Sequence, residues 1–234
     1  MAEPSRLVQS LDLLASTVML LPDLVLDWFF PRRCVVCHLE GSWACPDCLE
    51  FAADGVKEAE RFEIESGLAC CALLPFELNL VRELLHHLKY NGIYEAADSF
   101  LELLKLAHDK EMLMAMIGPE ALLLPVPSSQ QRLRQRGYNQ AALLAEAVGK
   151  WLEIPVDGSL IYRKSGRTQV GRSAAERAES LVGSFVWREG GECQGRIVLF
   201  DDLCTTGSTL QAFAQVVRLN TQSKLSVLSL ARKH

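Results

Sequence analysis

The chain has 234 residues, of which 49% are hydrophobic and 23% are charged, and its formal net charge is −5. This length and this hydrophobic content allow a sizeable buried core, which excludes a disordered chain. The acidic balance argues against a protein that coats nucleic acid over its whole surface. The charge is uneven, however, because residues 128–177 carry nine Lys/Arg against four Asp/Glu, a local +5 that leaves −10 for the remainder.

The N-terminal stretch predicts amphipathic helix and no membrane span. Leu7, Leu11 and Leu14 recur at helical spacing, and the apolar stretch 18–30 is interrupted by Pro22 and two aspartates. A basic n-region and a small-residue cleavage site are missing, so we expect no secretory signal. We expect the helix to pack on the protein's own body, and binding of a partner is the alternative.

Four of the eight cysteines form two C-x-x-C pairs, Cys34 with Cys37 and Cys45 with Cys48, separated by seven residues. Two such turns can supply four thiolates to one tetrahedral zinc ion. Because a closed site leaves no position for water, we expect the zinc to be structural. Buried free cysteines are the alternative, and we expect His38 to be a bystander. Paired thiols without a secretory signal favour metal binding in a reducing cytoplasm over disulfides.

Composition divides the chain into two predicted parts. Residues 51–68 are mixed and polar, which predicts a connector. We therefore predict N-terminal helices and a zinc module with its connector at 1–68, and a second domain at 69–234. The next predicted elements are a strand over 70–75 and helices over 80–90 and 95–107.

A basic segment follows the next predicted strand. The apolar run 121–127 predicts a strand stopped by prolines, and three arginines alternate within 131–140, ahead of a helix over 141–151. Arginines before a helix N-terminus predict a second anion-accepting loop, suited to pyrophosphate. A solvated basic turn is the alternative.

Two short strands, predicted over 159–163 and 184–187, enclose another basic segment. Residues 164–178 contain Gly and Ser and predict a mobile flap that closes over a charged substrate. A rigid helix over 173–181 is the alternative for its second half. A P-loop is disfavoured because Arg172 stands where a compact lysine ammonium is needed.

The strongest functional signal is the stretch 197–209. Four apolar residues predict a buried strand, Asp201 and Asp202 end it, and a short turn leads into a helix. The amides of small residues can surround a phosphate, and carboxylates accept hydrogen bonds from sugar hydroxyls. An ordinary capped helix start is the alternative. The predicted anion cradle comprises Thr205, Thr206, Gly207, Ser208 and Thr209. The strand over 184–187 and a final strand over 225–230 are expected to complete the sheet.

The strand, Asp-Asp and Thr-Thr-Gly-x-Thr order resembles the phosphoribosyl pyrophosphate (PRPP) motif of type I phosphoribosyltransferases. This resemblance implies that the two acids hold ribose hydroxyls. Further motifs are the C-x-x-C pairs, Leu88-Lys89-Tyr90 before Gly92, Pro125-Val126-Pro127, Arg136-Gly137-Tyr138-Asn139-Gln140 and Arg167-Thr168-x-x-Gly171. Together they resemble the ComF family of phosphoribosyltransferase-like proteins over nearly the whole chain. The chain departs from the family's usual residues at Gly171 and Ser180. Both positions lie in or just beyond the predicted flap, so they bear on which acceptor substrate the resemblance implies.

The resemblance implies an α/β fold, with a type I phosphoribosyltransferase-like, mostly parallel sheet and flanking helices after a small zinc-binding module. It also implies a Mg²⁺-dependent transferase that moves ribose 5-phosphate from PRPP and releases pyrophosphate. The alternative is a non-catalytic protein that binds PRPP or single-stranded DNA, with a competence-system protein as partner, since the family is associated with competence and DNA uptake. The implied catalytic residues are Asp201 and Asp202, and the implied substrate-binding residues beyond the cradle are Arg136, Arg163, Arg167 and Arg177.

Overall fold

The computed structural model describes residues 31–64, 66–164, 183–188, 190, 193 and 195–234. Its strands are β1 (Glu60–Ile64), β2 (Leu68–Pro75), β3 (Ala121–Pro125), β4 (Ile161–Arg163), β5 (Phe185–Trp187), β6 (Arg196–Cys204) and β7 (Lys224–Arg232). Five of them form one sheet in the order β1-β2-β7-β6-β3. All neighbours in it are parallel except β1 and β2. The predicted mostly parallel α/β fold is confirmed.

The helices lie before and between these strands, singly or in groups of two or three. They are α1 (Pro46–Asp54), α2 (Asn79–His86), α3 (Ala96–Ala107), α4 (Lys110–Ile117), α5 (Gln130–Arg136), α6 (Gln140–Leu152) and α7 (Ser208–Asn220). A π-helical turn (His87–Asn91) continues α2 and ends at Gly92, which has a φ of +69°. Glycine suits this end because a left-handed conformation costs it little.

The main sheet is covered on both faces. Val198 and Phe200 of β6 belong to a core shared with α1, α2, α3, α4 and α6. Ile197 and Leu199 belong to a second core, shared with α7 and the β4–β5 pair. Because side chains alternate across a strand, the apolar run of β6 serves both cores at once. This double cover holds the carboxyl end of β6 in the interior of the molecule.

Two predicted features of the chain differ from the structure. Much of the predicted connector, 51–68, is regular structure, because α1 extends to Asp54 and β1 forms an edge strand. Its polar composition reflects alternation on that edge, where Arg61 and Glu63 are exposed while Ile64 is buried. The strand predicted over 184–187 does not complete the main sheet, since β5 pairs with β4 in a separate antiparallel sheet. The division of the chain at residue 68 stays a prediction.

Several predictions concern residues outside the described part of the chain. They are the one or two N-terminal amphipathic helices within 7–30, the flap beyond Lys164, and the substrate-binding roles of Arg167 and Arg177. Within the ranges that the structure describes, every helix is too short or too polar to cross a membrane.

Candidate functional site

The two acids lie where β3 ends and β6 continues. β3 pairs with β6 only as far as Pro125, opposite Phe200, whereas β6 pairs with β7 up to Cys204. The prediction that Asp201 and Asp202 end the strand is therefore wrong, because both lie inside β6. Ladder pairing with β7 carries β6 past the acids, whereas β3 ends at Pro125 and Pro127 follows it. The acids thus border a crevice that β3 no longer fills.

A cavity of about 250 Å³ occupies this crevice. Carboxylates, guanidinium groups, amides and an aromatic ring surround it, so it suits a ligand that carries both anionic groups and hydroxyls. Its lining residues are Lys89, Tyr90, Val126, Pro127, Ser128, Arg132, Arg136, Asn139, Gln140, Ala141, Arg163, Asp201, Asp202, Leu203 and Thr209.

The two acids differ in charge state because one of them has a cationic partner. Lys89 Nζ lies 2.6 Å from Asp202 Oδ2. Burial opposes the charge of Asp202, but the Lys89 ammonium, the side-chain hydrogen bond with Asp201 and the charge of Arg132 together lower the pKa of Asp202. Burial, followed by repulsion from Asp202, raises the pKa of Asp201 well above 3.8. The pair therefore ionises in two steps as the pH rises, Asp202 before Asp201.

The arginines beside the cavity lie on a helix, not in the predicted loop. α5 begins after Ser129, whose Oγ accepts a hydrogen bond from the Arg132 amide, and it ends at Gly137 with a φ of +84°. Arg132 and Arg136 line the cavity, whereas Arg134 does not. Residues four apart share a helix face, so the helix separates these two arginines from the third. The sequence analysis predicted an anion-accepting loop and did not distinguish Arg132 and Arg136 from Arg134.

The start of α6 completes this side of the cavity. The Asn139 side chain donates to the Val126 carbonyl and accepts from the Ser128 hydroxyl, so it does not cap α6. Gln140 accepts a hydrogen bond from Arg136, and its side-chain nitrogen has no hydrogen-bond partner within the described residues although the residue is only 3% exposed. A buried unpaired donor beside free helix amides favours an acceptor-rich ligand group.

The structure brings only part of the predicted cradle to the cavity. Thr209 lines the cavity, whereas Thr205 and Thr206 are exposed and Ser208 opens α7. Gly207 has a φ of +75°, and a Cβ there would lie 2.5 Å from Ile64 Cγ2. Only glycine fits this backbone, because both the conformation and the close approach exclude a side chain.

Arg163 reaches the cavity from the end of β4. Its guanidinium lies over the Phe185 ring, 5.2 Å from the ring centroid. Burial and then the nearby Arg132 lower the pKa of Arg163. Of the predicted site residues, those that line the cavity are Asp201, Asp202, Thr209, Arg136 and Arg163.

Sequence reasoning missed several polar residues as candidate site residues. Lys89, Asn139 and Gln140 line the cavity, yet no periodicity or spacing marks them as ligands. Their only signal is membership of the Leu88-Lys89-Tyr90 and Arg136-Gly137-Tyr138-Asn139-Gln140 motifs. They meet the acids through the fold, since Lys89 lies in the π-helical turn after α2, and Asn139 and Gln140 lie at the start of α6.

The four cysteines of the C-x-x-C pairs form a compact cluster away from this cavity. The sulfurs of Cys34, Cys37, Cys45 and Cys48 all lie within 4.8 Å of one another. Zn–S bonds of about 2.3 Å in a tetrahedron need S–S separations of ~3.8 Å, so a small relaxation suffices. Four soft thiols at this spacing could hold a metal such as zinc.

Local backbone structure shapes this cluster. His38 and Gly41 take positive φ values of 64° and 120°, and they fold the chain between the two pairs into a tight turn. Burial opposes ionisation of Cys34, but backbone hydrogen bonds, foremost with Cys37, lower its pKa to about 6. Cys45 precedes α1, which starts at Pro46, so Cys48 follows within the first turn of that helix. The cluster is thus tied to a helix of the main core.

Curated relatives share substantial identity with the chain. Competence protein F of Haemophilus influenzae is 38% identical over 117 residues, which cover 49% of this chain and 51% of that protein. DNA utilization protein YhgH of Escherichia coli strain K12 is 33% identical over 153 residues, covering 64% of this chain and 66% of YhgH. Competence protein ComFC of Bacillus subtilis is 29% identical over 141 residues, covering 58% and 53%. The chain thus matches about half to two thirds of the length of these relatives.

Solved structures with a similar arrangement include two phosphoribosyltransferases. An adenine phosphoribosyltransferase aligns with a TM-score of 0.38 at 11% identity, covering 78% of this chain and 89% of the other. The orotate phosphoribosyltransferase of Aeropyrum pernix aligns with a TM-score of 0.31 at 18% identity, covering 79% and 93%. No protein-family model matches the chain. On the identities with Competence protein F, YhgH and ComFC, the chain belongs to the ComF family.

Proposed function

We propose that the chain binds PRPP in the cavity between β3 and β6 and transfers its ribose 5-phosphate to a nucleophile, with release of pyrophosphate. The observation that supports this most is the convergence of an acidic pair, three arginines and the first turns of α6 and α7 on one cavity. PRPP carries hydroxyls between two anionic ends. One molecule therefore matches the acidic and the basic walls together.

Each wall has a proposed role. Asp201 and Asp202 bind the ribose hydroxyls and stabilise the positive charge that develops at the anomeric carbon as its bond to pyrophosphate breaks. The loop 205–209 binds the 5-phosphate through its amides and the N-terminus of α7. Arg132, Arg136 and Gln140 bind the pyrophosphate, and Arg163 closes the cavity from β4. Mg²⁺ bound with PRPP would neutralise the departing pyrophosphate.

The cysteine cluster has a structural role in this proposal. We propose that Cys34, Cys37, Cys45 and Cys48 hold one zinc ion, because four protein thiolates leave no coordination position for a substrate. All eight cysteines are free thiols, which agrees with the reducing cytoplasm that we propose as the location.

The first test is direct binding. Titration calorimetry with Mg²⁺ and PRPP should show one site per chain, and ribose 5-phosphate and pyrophosphate alone should each bind more weakly, because each fills one half of the cavity. Release of pyrophosphate is then measured with a panel of bases and amines as acceptors. Absence of PRPP binding would overturn the proposal, and binding without pyrophosphate release for any acceptor would favour a non-catalytic PRPP-binding protein.

A second candidate function is binding of single-stranded DNA. The names of the relatives link them to competence and DNA utilisation, and a competence-system protein is the partner class that this candidate implies. Tyr90 and Tyr94 are 69% and 59% exposed, and the Arg136 guanidinium lies 5.4 Å from the centre of the Tyr90 ring. Exposed aromatic rings beside arginines suit stacked bases with charged phosphates.

Salt dependence separates the two candidates. DNA affinity should fall steeply between about 50 and 200 mM salt, because phosphate contacts release counterions. PRPP enclosed in the cavity should weaken much less over that range. A Tyr90→Ala variant should weaken DNA binding more than a Tyr162→Ala variant, since Tyr162 is also exposed but does not line the cavity. Equal effects of the two changes would count against a DNA site at Tyr90.

A further inference from the structure

Lys89 reaches the acidic pair from the π-helical turn. Such turns insert one residue into a helix and are common at functional sites. The turn is anchored at Leu88, whose side chain is fully buried and whose carbonyl accepts a hydrogen bond from the Tyr138 hydroxyl. At its ends, His87 and Asn91 are joined through their side chains at 2.9 Å. The anchored backbone holds Lys89 at the wall of the cavity.

The ion pair itself is shielded from solvent. The side chains of Lys89 and Asp202 are only 19% and 16% exposed, and their charged atoms are 2.6 Å apart. The neighbouring Asp201 accepts a hydrogen bond from the Asp202 amide at 2.9 Å. Two adjacent, poorly solvated carboxyls resist double ionisation, so a nearby cation decides which one is charged.

Several other groups face the two acids. They are Tyr90 from the π-helical turn, Arg132 and Arg136 from α5, Arg163 from β4 and Cys204 from β6. Among the residues that the structure describes, Lys89 forms the ion pair with the acids and these arginines do not. Arg163 lies instead on the Phe185 ring, and Arg136 donates to Gln140. Lys89 is therefore the cation in direct contact with the pair, and the charge of Arg132 acts in the same direction from α5.

We propose that Lys89 is a positioning residue whose ammonium fixes the negative charge of the acidic pair on Asp202 and leaves the remaining proton on Asp201. The pair then offers a ligand one charged acceptor, Asp202 Oδ1, and one neutral carboxyl that can donate. Two neighbouring hydroxyls of a sugar match this arrangement, because one can donate to Asp202 while the other accepts from Asp201. Lys89 acts through Asp202 and need not touch the reacting atoms.

The first measurement needs no ligand. Carbon-13 NMR of the aspartate carboxyls, assigned with Asp201→Asn and Asp202→Asn variants, gives the titration midpoints in wild type, Lys89→Met, Lys89→Arg and Lys105→Met. Lys105 is exposed on α3 and does not line the cavity, so its variant controls for loss of one charge. In Lys89→Met the Asp202 midpoint should rise by about 1–3 pH units. Lys89→Arg and Lys105→Met should keep it low. An unchanged midpoint in folded Lys89→Met would overturn the inference, as would a rise of the same size in Lys105→Met.

The second measurement rests on the proposed function, because it uses ribose 5-phosphate as the probe. As the pH falls from about 8 to about 5, Lys89→Met should lose more affinity than Lys105→Met, because without Lys89 the Asp202 carboxylate gains its proton at a higher pH. Both variants are measured with the same probe, so the titration of its phosphate affects them equally and cancels in the comparison. Equal pH profiles would contradict the inference. Failure of wild type to bind either ribose 5-phosphate or PRPP would instead overturn the proposed function, and the carboxyl titration would still decide the role of Lys89.

Discussion

At the scale of single residues, the Asp202 carboxylate is the acceptor that we expect to matter most for binding. An Asp202→Asn change should weaken PRPP binding by about 10- to 150-fold, because a hydrogen bond to a charged group contributes about 1.5–3 kcal/mol. Calorimetry with Asp98→Asn as control measures this, since Asp98 is exposed on α3. Wild-type affinity in the Asp202→Asn protein would mean that the acids do not contact the ligand.

Asp201 should affect the pH dependence of stability in the opposite direction to a salt-bridged acid. Burial and repulsion from Asp202 raise its pKa above 3.8, so the unfolded chain ionises first as pH rises. The folded state therefore loses stability from about pH 4 upward until the pH passes the raised pKa. Asparagine cannot ionise, so the stability of Asp201→Asn relative to wild type should increase as the pH rises above about 4. Urea unfolding at several pH values measures this, and parallel curves for the two proteins would contradict it.

At the scale of elements, the loop between β6 and α7 depends on Gly207. An alanine there takes a left-handed conformation and its Cβ meets Ile64 of β1, which should destabilise the fold by about 1–3 kcal/mol. Substitution at Gly158 is the matched control, because its φ is ordinary and the nearest atom to an added Cβ is 3.5 Å away. Chemical unfolding of both variants measures the difference. A stable Gly207→Ala protein would show that the loop can move away from β1.

The stability of the turn that carries the cysteine pairs should depend on a bound metal ion. We predict about one zinc per chain, and we predict that Cys45→Ser loses the metal and much of the stability, because structural zinc supplies folding free energy directly. Cys71→Ser is the control, since Cys71 lies in β2 outside the cluster. Elemental analysis and thermal unfolding of both variants give the answer. A zinc content far below one in wild type, or unchanged metal in Cys45→Ser, would contradict the metal assignment.

At the scale of the whole molecule, the cysteine cluster and the sheet share one core. Ala44 and Leu49, beside the cysteines, pack in the same cluster as Leu73 of β2 and Phe100 of α3. Trp43 contacts His87 of the π-helical turn, with ring centroids 6.0 Å apart. Loss of the metal should therefore weaken the packing of α1 and disturb the turn that carries Lys89.

We predict from this shared core that metal release and unfolding of the sheet coincide. Heating with a zinc-sensitive dye present should give the same midpoint for metal release as circular dichroism gives for loss of helix, because the two regions bury one continuous apolar cluster. A chelator should lower both midpoints together. Metal release well below the main transition would instead support two independent units that divide near residue 68.

The sequence by itself determined the features that depend on neighbours along the chain. The C-x-x-C spacing brings two thiols together within one turn, and the apolar run before Asp201 indicates a buried strand whatever surrounds it. Helix α6 follows from the same local periodicity, within a residue at each end. The same stretch has a glycine at position 207, and the chain turns there from β6 into α7.

Only the tertiary structure decided which of these side chains meet. The pairing of β7 with β6 carries Asp201 and Asp202 inside a strand, and the early end of β3 opens the cavity beside them. The π-helical turn brings Lys89 to Asp202 across the fold, and α5 selects Arg132 and Arg136 but not Arg134. Strand pairing and packing join residues that are far apart in the chain, so no local pattern records these contacts.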